Sequence, residues 1–265
     1  MLPKRIISST ILIGIIIASI FLERVFRITV LLFTIGGLYE FFTMLEKKGI
    51  RIYKYFGIGI GIVIPLSILF RFELTKKWEL LFIALTLLFL IVMQFRRRES
   101  SGVIVDISTT LFGILYVSWL FSFLIKVRYL KGGLGLFVAV LLITKLGDIG
   151  AYLIGSRFGK TPLIPRISPK KSVEGGIAGL VFSVLGALVS QPFLGLSYLH
   201  AAAVGVVLGV LGQLGDLSES LLKRDCQVKD SGVILPGLGG VLDSIDSLLF
   251  SAPVFYFYMN IVLNK

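Results

Sequence analysis

The stretch 223-KRDCQVKDSGVILPGLGGVLDSIDSLLF-250 joins a charged, glycine-rich segment to an apolar segment that begins with two aspartates. Asp243 and Asp246 lie three residues apart, so on a helix their carboxylates project from the same face. An ionised side chain at the centre of a membrane helix costs about 2.5–3.5 kcal/mol. Two carboxylates at the start of an apolar segment therefore indicate a polar site beside a membrane span.

The composition around this stretch is that of a membrane protein. The chain has 265 residues, of which 56% are hydrophobic and 16% are charged, and its mean hydropathy is +0.95. Soluble domains carry about 25% charged residues. We therefore predict an all-α, polytopic integral membrane protein.

The net charge of +12 and the scarcity of cysteine and histidine exclude several classes of site. A basic balance in a membrane protein holds loops at the anionic cytoplasmic face, and no segment interleaves basic and aromatic residues, so we expect no nucleic-acid partner. Cys226 and His200 are the only residues of their types, which excludes an internal disulfide and argues against a zinc cluster.

Hydropathy predicts about nine transmembrane helices, because a span needs about 20 mostly apolar residues. The first lacks a signal-peptidase cleavage site, so we expect it to be retained. The predicted spans are 6–22, 26–45, 54–70, 78–95, 103–125, 133–155, 174–191, 198–222 and 240–262.

The distribution of Lys and Arg predicts the orientation of these spans. With the N-terminus cytoplasmic, the inner segments hold 17 Lys and Arg residues and the outer segments hold 9. The positive-inside rule then predicts a multi-pass protein of the cell inner (plasma) membrane, with the loops 156–173 and 223–239 in the cytoplasm. We expect residues 1–130 to serve lipid access, dimerisation or anchoring, and residues 131–265 to form the catalytic region.

Two further predicted spans carry polar residues at helical spacing. In the sixth, Thr144, Asp148 and Tyr152 share a face with Lys145 beside it, and in the eighth Asp216 lies on a polar stripe that ends at Lys223. Buried polar residues also serve as packing contacts between membrane helices, and that interpretation stays open for Glu40, Asp106 and Lys145.

The four late aspartates favour a cation site over simple packing. Carboxylates from three spans repel each other unless cations hold them, and oxygen ligands are those that Mg²⁺ prefers. We therefore predict Mg²⁺, with a second cation left open, and a phosphate-bearing substrate. The predicted metal ligands are Asp148, Asp216, Asp243 and Asp246.

The two predicted cytoplasmic loops offer groups that bind phosphate. Residues 155–176, "GSRFGKTPLIPRISPKKSVEGG", interleave cations with hydroxyls, and "PGLGG" at 236–240 precedes a helix, where phosphate meets free N–H groups. A basic loop can also serve only as a topology determinant. The predicted substrate-binding residues are Lys160, Arg166, Ser168, Lys170, Ser172, Gly237, Gly239 and Gly240.

Residues 220–246 together resemble the C-terminal motif of the phosphatidate cytidylyltransferase (CDP-diacylglycerol synthase) family. The resemblance rests on "SLLKR" at 220–224, "KDSGVILPG" at 229–237, "GGVLD" at 239–243 and Asp246. The stretch 147–179 resembles a second region of that family, and the two cover about residues 144 to 250. The first 130 residues match in hydropathy alone.

The resemblance implies cytidylyl transfer from CTP to phosphatidate within the lipid bilayer, giving CDP-diacylglycerol and pyrophosphate with Mg²⁺ dependence. It implies these catalytic residues: Asp148, Lys171, Asp216, Lys223, Arg224, Lys229, Asp230, Asp243 and Asp246. Two positions depart from the family's pattern, with Leu238 in place of histidine and Ser244 in place of arginine. If the family's side chains bind nucleotide phosphates there, this chain is impaired.

Three other functions stay open at this point. Aspartates and lysines within spans also occur along the ion pathways of ion-coupled membrane transporters. A CTP-dependent lipid kinase would release CDP rather than pyrophosphate, and a silent homologue would only bind. The spacing of Gly57 and Gly61 is one that dimerising helices use, so a homodimer is a further expectation.

Overall fold

The computed structural model describes residues 2–70, 78–96, 101–237 and 239–263, and the chain in these ranges is predominantly helical. A π-helical segment, Ile114–Trp119, lies between α5 and α6. The helices are α1 Leu2–Phe21, α2 Glu23–Lys47, α3 Lys54–Leu69, α4 Trp78–Gln94, α5 Val103–Gly113, α6 Leu120–Arg128, α7 Gly133–Phe158, α8 Val173–Val189, α9 Gln191–Leu194, α10 Tyr198–Asp225 and α11 Val241–Leu263.

Five stretches of helix in the described ranges are long and apolar enough to cross a membrane. They are Glu23–Lys47, Val103–Arg128, Gly133–Phe158, Tyr198–Asp225 and Val241–Leu263, and each overlaps a predicted span. Shorter apolar helices cover Ile7–Phe21, Lys54–Leu69, Leu80–Gln94 and Val173–Val189. The prediction of an all-α, multi-pass membrane protein is confirmed.

Some residues used in the sequence analysis lie outside the described ranges. They are Leu238 and the basic residues Arg71, Lys76, Lys77, Arg97, Arg98 and Lys265.

A small β-hairpin replaces part of the predicted 156–173 loop. Strand β1, Pro162–Ile164, pairs antiparallel with β2, Ser168–Ser172. Helix α7 continues to Phe158, and Gly159 ends it with an extended backbone. The hairpin was not predicted, because two strands this short interrupted by prolines have no alternating apolar pattern.

The chain forms two compact units, each with its own packing. The first comprises Met1–Ile125 and Cys226–Ser244, and the second comprises Lys126–Asp225 and Ile245–Lys265. Helix α11 therefore begins in the first unit and continues in the second. The division of roles near residue 130 stays a prediction, and the sequence analysis did not anticipate that Cys226–Ser244 groups with the N-terminal helices.

Close packing in the first unit depends on glycines that face large side chains. A Cβ on Gly61 would lie 2.3 Å from the side chain of Leu38, and one on Gly57 would lie 2.7 Å from the ring of Phe42. Both partners are on α2, so these glycines let α3 approach α2 within one chain. Gly57 and Gly61 therefore give no support to a dimer.

The second unit is built on α7, α8 and α10, which also meet through small residues. Gly147 of α7 lies against the hydroxyl of Ser183 on α8, and Gly205 of α10 lies against the backbone of Val184. Gln213 of α10 donates a hydrogen bond from Nε2 to the carbonyl of Gly176 at 2.8 Å. These contacts hold α7, α8 and α10 together. Asp148 is on α7, Asp216 is on α10, and the strand that carries Lys171 leads directly into α8.

We predict that Gly205→Ala destabilises the protein by about 1–3 kcal/mol, because the new methyl group would press on a neighbouring backbone that cannot move aside. Its Cβ would lie 2.7 Å from Val184 Cα and 3.0 Å from the Ser183 carbonyl oxygen. The measurement is the free energy of unfolding in mixed detergent micelles.

The matched control is Gly212→Ala on the same helix, whose Cβ would make ordinary contacts of 3.6 Å and 3.7 Å with Ser247 and Ser251. Alanine is the better helix former, so this variant should be as stable as the wild type or more so. Equal losses in the two variants would contradict the packing argument.

Candidate active site

A cluster of charged side chains in the second unit brings together residues of α7, β2, α10 and α11. We call Asp148, Asp216, Asp246, Lys145 and Lys171 the charged cluster. Asp246 has Asp216, Lys145 and Asp148 as its electrostatic neighbours. The structure thus brings together three of the four aspartates predicted as metal ligands.

Lys145 links two of the helices in this cluster. Its Nζ lies 2.8 Å from Asp148 Oδ2, and it also donates a hydrogen bond to Ser247 Oγ at 3.1 Å. The hydroxyl of Ser247 in turn donates to Asp148 Oδ2 at 3.1 Å. These bonds connect α7 to the part of α11 that belongs to the second unit.

Lys171 and Asp216 form the second ion pair of the cluster, with 2.6 Å between Nζ and Oδ1. Lys171 is near the end of β2, so the hairpin delivers its ammonium group to α10. The side chains of Lys145, Asp148 and Asp216 are 40%, 39% and 40% exposed. A ligand can therefore reach these groups without unfolding the helices.

Asp246 is the buried member of the cluster, at 7% exposure. Its Oδ1 accepts a hydrogen bond from the backbone N–H of Ser247 at 2.6 Å. Close approach of α10 makes this position possible, because a Cβ on Gly215 would lie 2.3 Å from the carbonyl oxygen of Asp246. Glycine at 215 therefore places α10 directly against the turn that carries Asp246.

The donor chemistry of this cluster suits a hard divalent cation, since three carboxylates face one region. Asp148 and Asp216 are paired with ammonium groups, and the described ranges hold no ready-made group of three Asp, Glu, His or Cys side chains spaced to bind a metal. In this arrangement the lysines therefore neutralise two of the carboxylates, and a Mg²⁺ ion held by the cluster stays a prediction.

The C-terminal part of α10 carries two more of the predicted residues. Lys223 is 2.5 Å from the carboxylate of the fully buried Glu219, and Arg224 donates from Nε to the carbonyl of Ile167 at 3.1 Å. The first contact lies within α10, and the second joins α10 to the hairpin. Arg224 as a whole residue is exposed.

Glu174 and Ser172 hold the turn that precedes α8. Glu174 accepts hydrogen bonds from the N–H groups of Lys160 and Thr161 at 3.1 Å and 3.2 Å. Ser172 caps α8 by accepting from Gly175 N at 3.1 Å. Ser172, predicted to bind substrate, therefore has a structural role in this conformation. The predicted phosphate-binding residues Lys160, Arg166 and Lys170 are exposed around this turn, and Ser168 begins β2.

In the first unit, Asp243 organises the glycine-rich segment before α11. Its Oδ2 accepts hydrogen bonds from Gly240 N at 2.7 Å, Ser231 Oγ at 2.9 Å and Ser231 N at 3.2 Å. The bond to Gly240 N is the reciprocal half of a capping box. Asp243 thus starts α11, a role that the sequence analysis did not predict.

The remaining predicted residues of this segment form a tight, exposed loop. Leu235 and Gly239 exchange two backbone hydrogen bonds of 3.1 Å, and Gly237 and Gly239 have φ of 80° and 103°. Only glycine adopts the second of these angles readily. Lys229 and Asp230 are exposed ahead of the loop.

Several residues of these networks were not among the predicted site residues, and Lys145 and Glu40 are two of them. Lys145 and Glu40 each have a packing interpretation when taken singly, yet Lys145 lies within the charged cluster and Glu40 contacts the segment that precedes α11. The signal for Lys145 was its position one helical turn before Asp148. The sequence offers no local signal for the partners of Glu40, which are 191 and 202 residues away.

The model of the cytidylyltransferase family matches residues 3–262. The chain belongs to the cytidylyltransferase family. It is a nucleotidyltransferase, and the family resemblance seen in its C-terminal motif is confirmed over nearly the whole chain.

Curated relatives of this cytidylyltransferase include three phosphatidate cytidylyltransferases. The protein from Synechocystis is 32% identical over 290 positions, covering 98% of this chain and 97% of its own. The protein from Bacillus subtilis is 33% identical, covering 94% and 96%. The protein from Staphylococcus epidermidis is 42% identical over 160 positions, covering 60% and 59%.

We predict that Glu219→Gln lowers the free energy of unfolding by about 3 kcal/mol, because it leaves the ammonium group of Lys223 buried opposite a neutral amide. The side chain of Lys223 is 13% exposed and that of Glu219 is 0% exposed. Unfolding in mixed micelles measures the loss. The matched control is Glu23→Gln, whose partner Arg27 is 42% exposed, and it should cost less than about 1 kcal/mol. A similar effect of both substitutions would contradict a stabilising role for the buried pair.

Proposed function

We propose that this cytidylyltransferase joins CTP to phosphatidate, forming CDP-diacylglycerol and releasing pyrophosphate. The observation that carries the proposal is the charged cluster, which combines three carboxylates and Lys145 on apolar helices with Lys171 from the basic hairpin. Full-length relatives named phosphatidate cytidylyltransferase support the choice of substrates.

The lipid phosphate is the nucleophile in the proposed reaction. One of its oxygens attacks the α-phosphorus of CTP in line, a P–O bond forms, and the bond from the α-phosphorus to the bridging oxygen breaks. That electron pair leaves with pyrophosphate. The second pKa of a phosphate monoester is about 6, so the attacking group is largely dianionic at pH 7 and needs no strong general base. Catalysis then depends on positioning and on charge stabilisation.

In the second unit, the aspartates are proposed to bind the cation and the basic residues to bind the phosphates. Asp216, Asp246 and Asp148 would hold Mg²⁺, which when bound stabilises negative charge on the phosphates. Lys171 and Lys145 pair with Asp216 and Asp148 and would offer their ammonium groups to phosphate oxygens. The predicted phosphate contacts of Lys223, Arg224 and the exposed hairpin cations Lys160, Arg166 and Lys170 belong to the same proposal. Roles for Lys229 and Asp230, and a metal contact from Asp243, stay predictions.

All nine apolar helices cross the membrane in this proposal, with the N-terminus in the cytoplasm. The excess of Lys and Arg in the segments then facing inward supports that orientation. Water-soluble CTP meets bilayer-resident phosphatidate at the cytoplasmic face of the inner membrane. Association into a homodimer is an independent expectation, with no contact of the chain assigned to it.

We predict that purified protein in phosphatidate-containing micelles converts labelled CTP into a lipid-soluble cytidine product, and that Mg²⁺ chelation stops the reaction. Asp216→Asn and Asp246→Asn should each lower kcat/KM at least 100-fold, because each removes a charge facing the metal and phosphates. Phosphate analysis separates pyrophosphate from the CDP that a lipid kinase would release.

The control is Glu23→Gln, which neutralises an exposed carboxylate on α2 and should retain wild-type turnover. Ion flux into liposomes without any nucleotide-dependent product would refute the proposal in favour of a transporter. Normal turnover of Asp246→Asn would remove this residue from the reaction.

Cysteine labelling tests the orientation. In a Cys226→Ser background, Lys170→Cys should react with an impermeant maleimide in inside-out vesicles and Lys131→Cys in right-side-out cells, since both positions are exposed and are predicted on opposite sides. The reverse pattern would place the active site outside.

The two departures from the family's pattern lower turnover in this proposal. Ser244 places a hydroxyl, 3.3 Å from the carbonyl oxygen of Gly240, where the family has a guanidinium. We predict that Ser244→Arg together with Leu238→His raises kcat at least fivefold, because both changes add a group that can bind phosphate. Unchanged or reduced turnover would show that the departures do not impair this chain.

A further inference from the structure

Glu40 lies in an apolar helix yet is bound to the segment that carries the family's C-terminal motif. It is on α2, is 2% exposed, and is more than 190 positions away from its partners in the sequence. Its Oε2 accepts hydrogen bonds from Leu242 N at 3.0 Å and from Ser231 Oγ at 3.2 Å. A buried carboxyl group is costly unless donors satisfy it, so this contact has to form when the unit folds.

Ser231 connects Glu40 to Asp243. The Ser231 hydroxyl lies 3.2 Å from Glu40 Oε2 and 2.9 Å from Asp243 Oδ2, and a hydroxyl has one hydrogen to donate. The two carboxyl groups therefore share one donor. Asp243 also accepts from the N–H groups of Ser231 and Gly240, so its orientation depends on the position of both.

Two glycines of the segment leave the space that Glu40 fills. A Cβ on Gly240 would lie 2.4 Å from Glu40 Oε2, and a Cβ on Gly232 would lie 2.2 Å from Glu40 Oε1. One turn earlier on α2, Gly36 lies against the side chain of Val241. The sequence analysis assigned Gly240 to close approach of substrate, whereas here its missing side chain accommodates Glu40 and Ser231.

We propose that Glu40 is a positioning residue for cytidylyl transfer: it fixes Ser231, Gly240 and the first turn of α11 so that Asp243 keeps one orientation. The inference rests on the proposed function for its effect on turnover, but not for its effect on the segment. Glu40 touches no reacting atom in this account and acts through Ser231 and the backbone of Leu242.

The first measurement is hydrogen exchange of the full-length protein in detergent, which needs no enzymatic activity. Glu40→Leu, which removes the acceptor oxygens, should raise the exchange rate of residues 231–243 at least tenfold, while α7 and α8 keep wild-type rates. The matched control, Glu23→Leu on the same helix, removes an exposed contact with Arg27 and should leave residues 231–243 unchanged. Unaltered exchange in Glu40→Leu would overturn the proposal.

The second measurement separates positioning from general stability. In Glu40→Leu we expect kcat to fall at least tenfold while KM for CTP changes less than threefold, with Glu40→Gln, which keeps one acceptor oxygen, intermediate. Ser231→Ala should also lower kcat, and adding it to Glu40→Leu should cause less than a multiplicative loss, because the two residues share the contact at the Ser231 hydroxyl. Multiplicative losses in the double variant, or a normal kcat despite faster exchange, would overturn the proposal.

The two proposals fail in different ways. A wild-type protein that makes no lipid-soluble cytidine product refutes the proposed function, and hydrogen exchange then decides the role of Glu40 alone. If Glu40→Leu elutes as an aggregate, Ser231→Ala replaces it, since loss of the bridging hydroxyl should raise exchange of residues 232–243 at least tenfold. Wild-type exchange in that variant would equally overturn the proposal.

Discussion

Carboxyl groups within apolar helices impose the constraint on which the rest of this structure depends. Each such group has to find donors or cations inside the protein, because lipid supplies neither. The first unit meets this need with neutral donors, as Glu40 and Asp243 accept from N–H and O–H groups of residues 231–242. The second unit meets it with ammonium groups, as Asp148 and Asp216 face Lys145 and Lys171.

These two solutions have different consequences for function. Backbone N–H donors are fixed by the chain, so the network around Asp243 is a rigid support that starts α11. Ammonium groups sit on flexible stems, and their partners Asp148 and Asp216 are partly exposed. In the proposed reaction, these charges of the second unit would change partners when the nucleotide binds.

The sequence was sufficient to predict the helical membrane fold, because hydropathy and helical periodicity are local signals. The predicted span 198–222 corresponds to α10, Tyr198–Asp225. Three of the four aspartates predicted as metal ligands, Asp148, Asp216 and Asp246, lie in one cluster. The hairpin at Pro162–Ser172 had no periodic pattern to reveal it. The partners of Glu40 were also beyond prediction, because a contact spanning 202 residues depends on how the helices assemble.

The three aspartates of the charged cluster are held in different ways. Asp246 is buried and accepts from the neutral N–H of Ser247, whereas Asp148 and Asp216 are held by ammonium groups. In the proposed reaction, these carboxylates would hold a divalent cation, which would supply the positive charge that the lysines supply in this arrangement. Lys145 and Lys171 would then offer their charges to the phosphate oxygens of the nucleotide. The ion pairs that make the aspartates tolerable within membrane helices would thus also keep the proposed phosphate-binding cations in place.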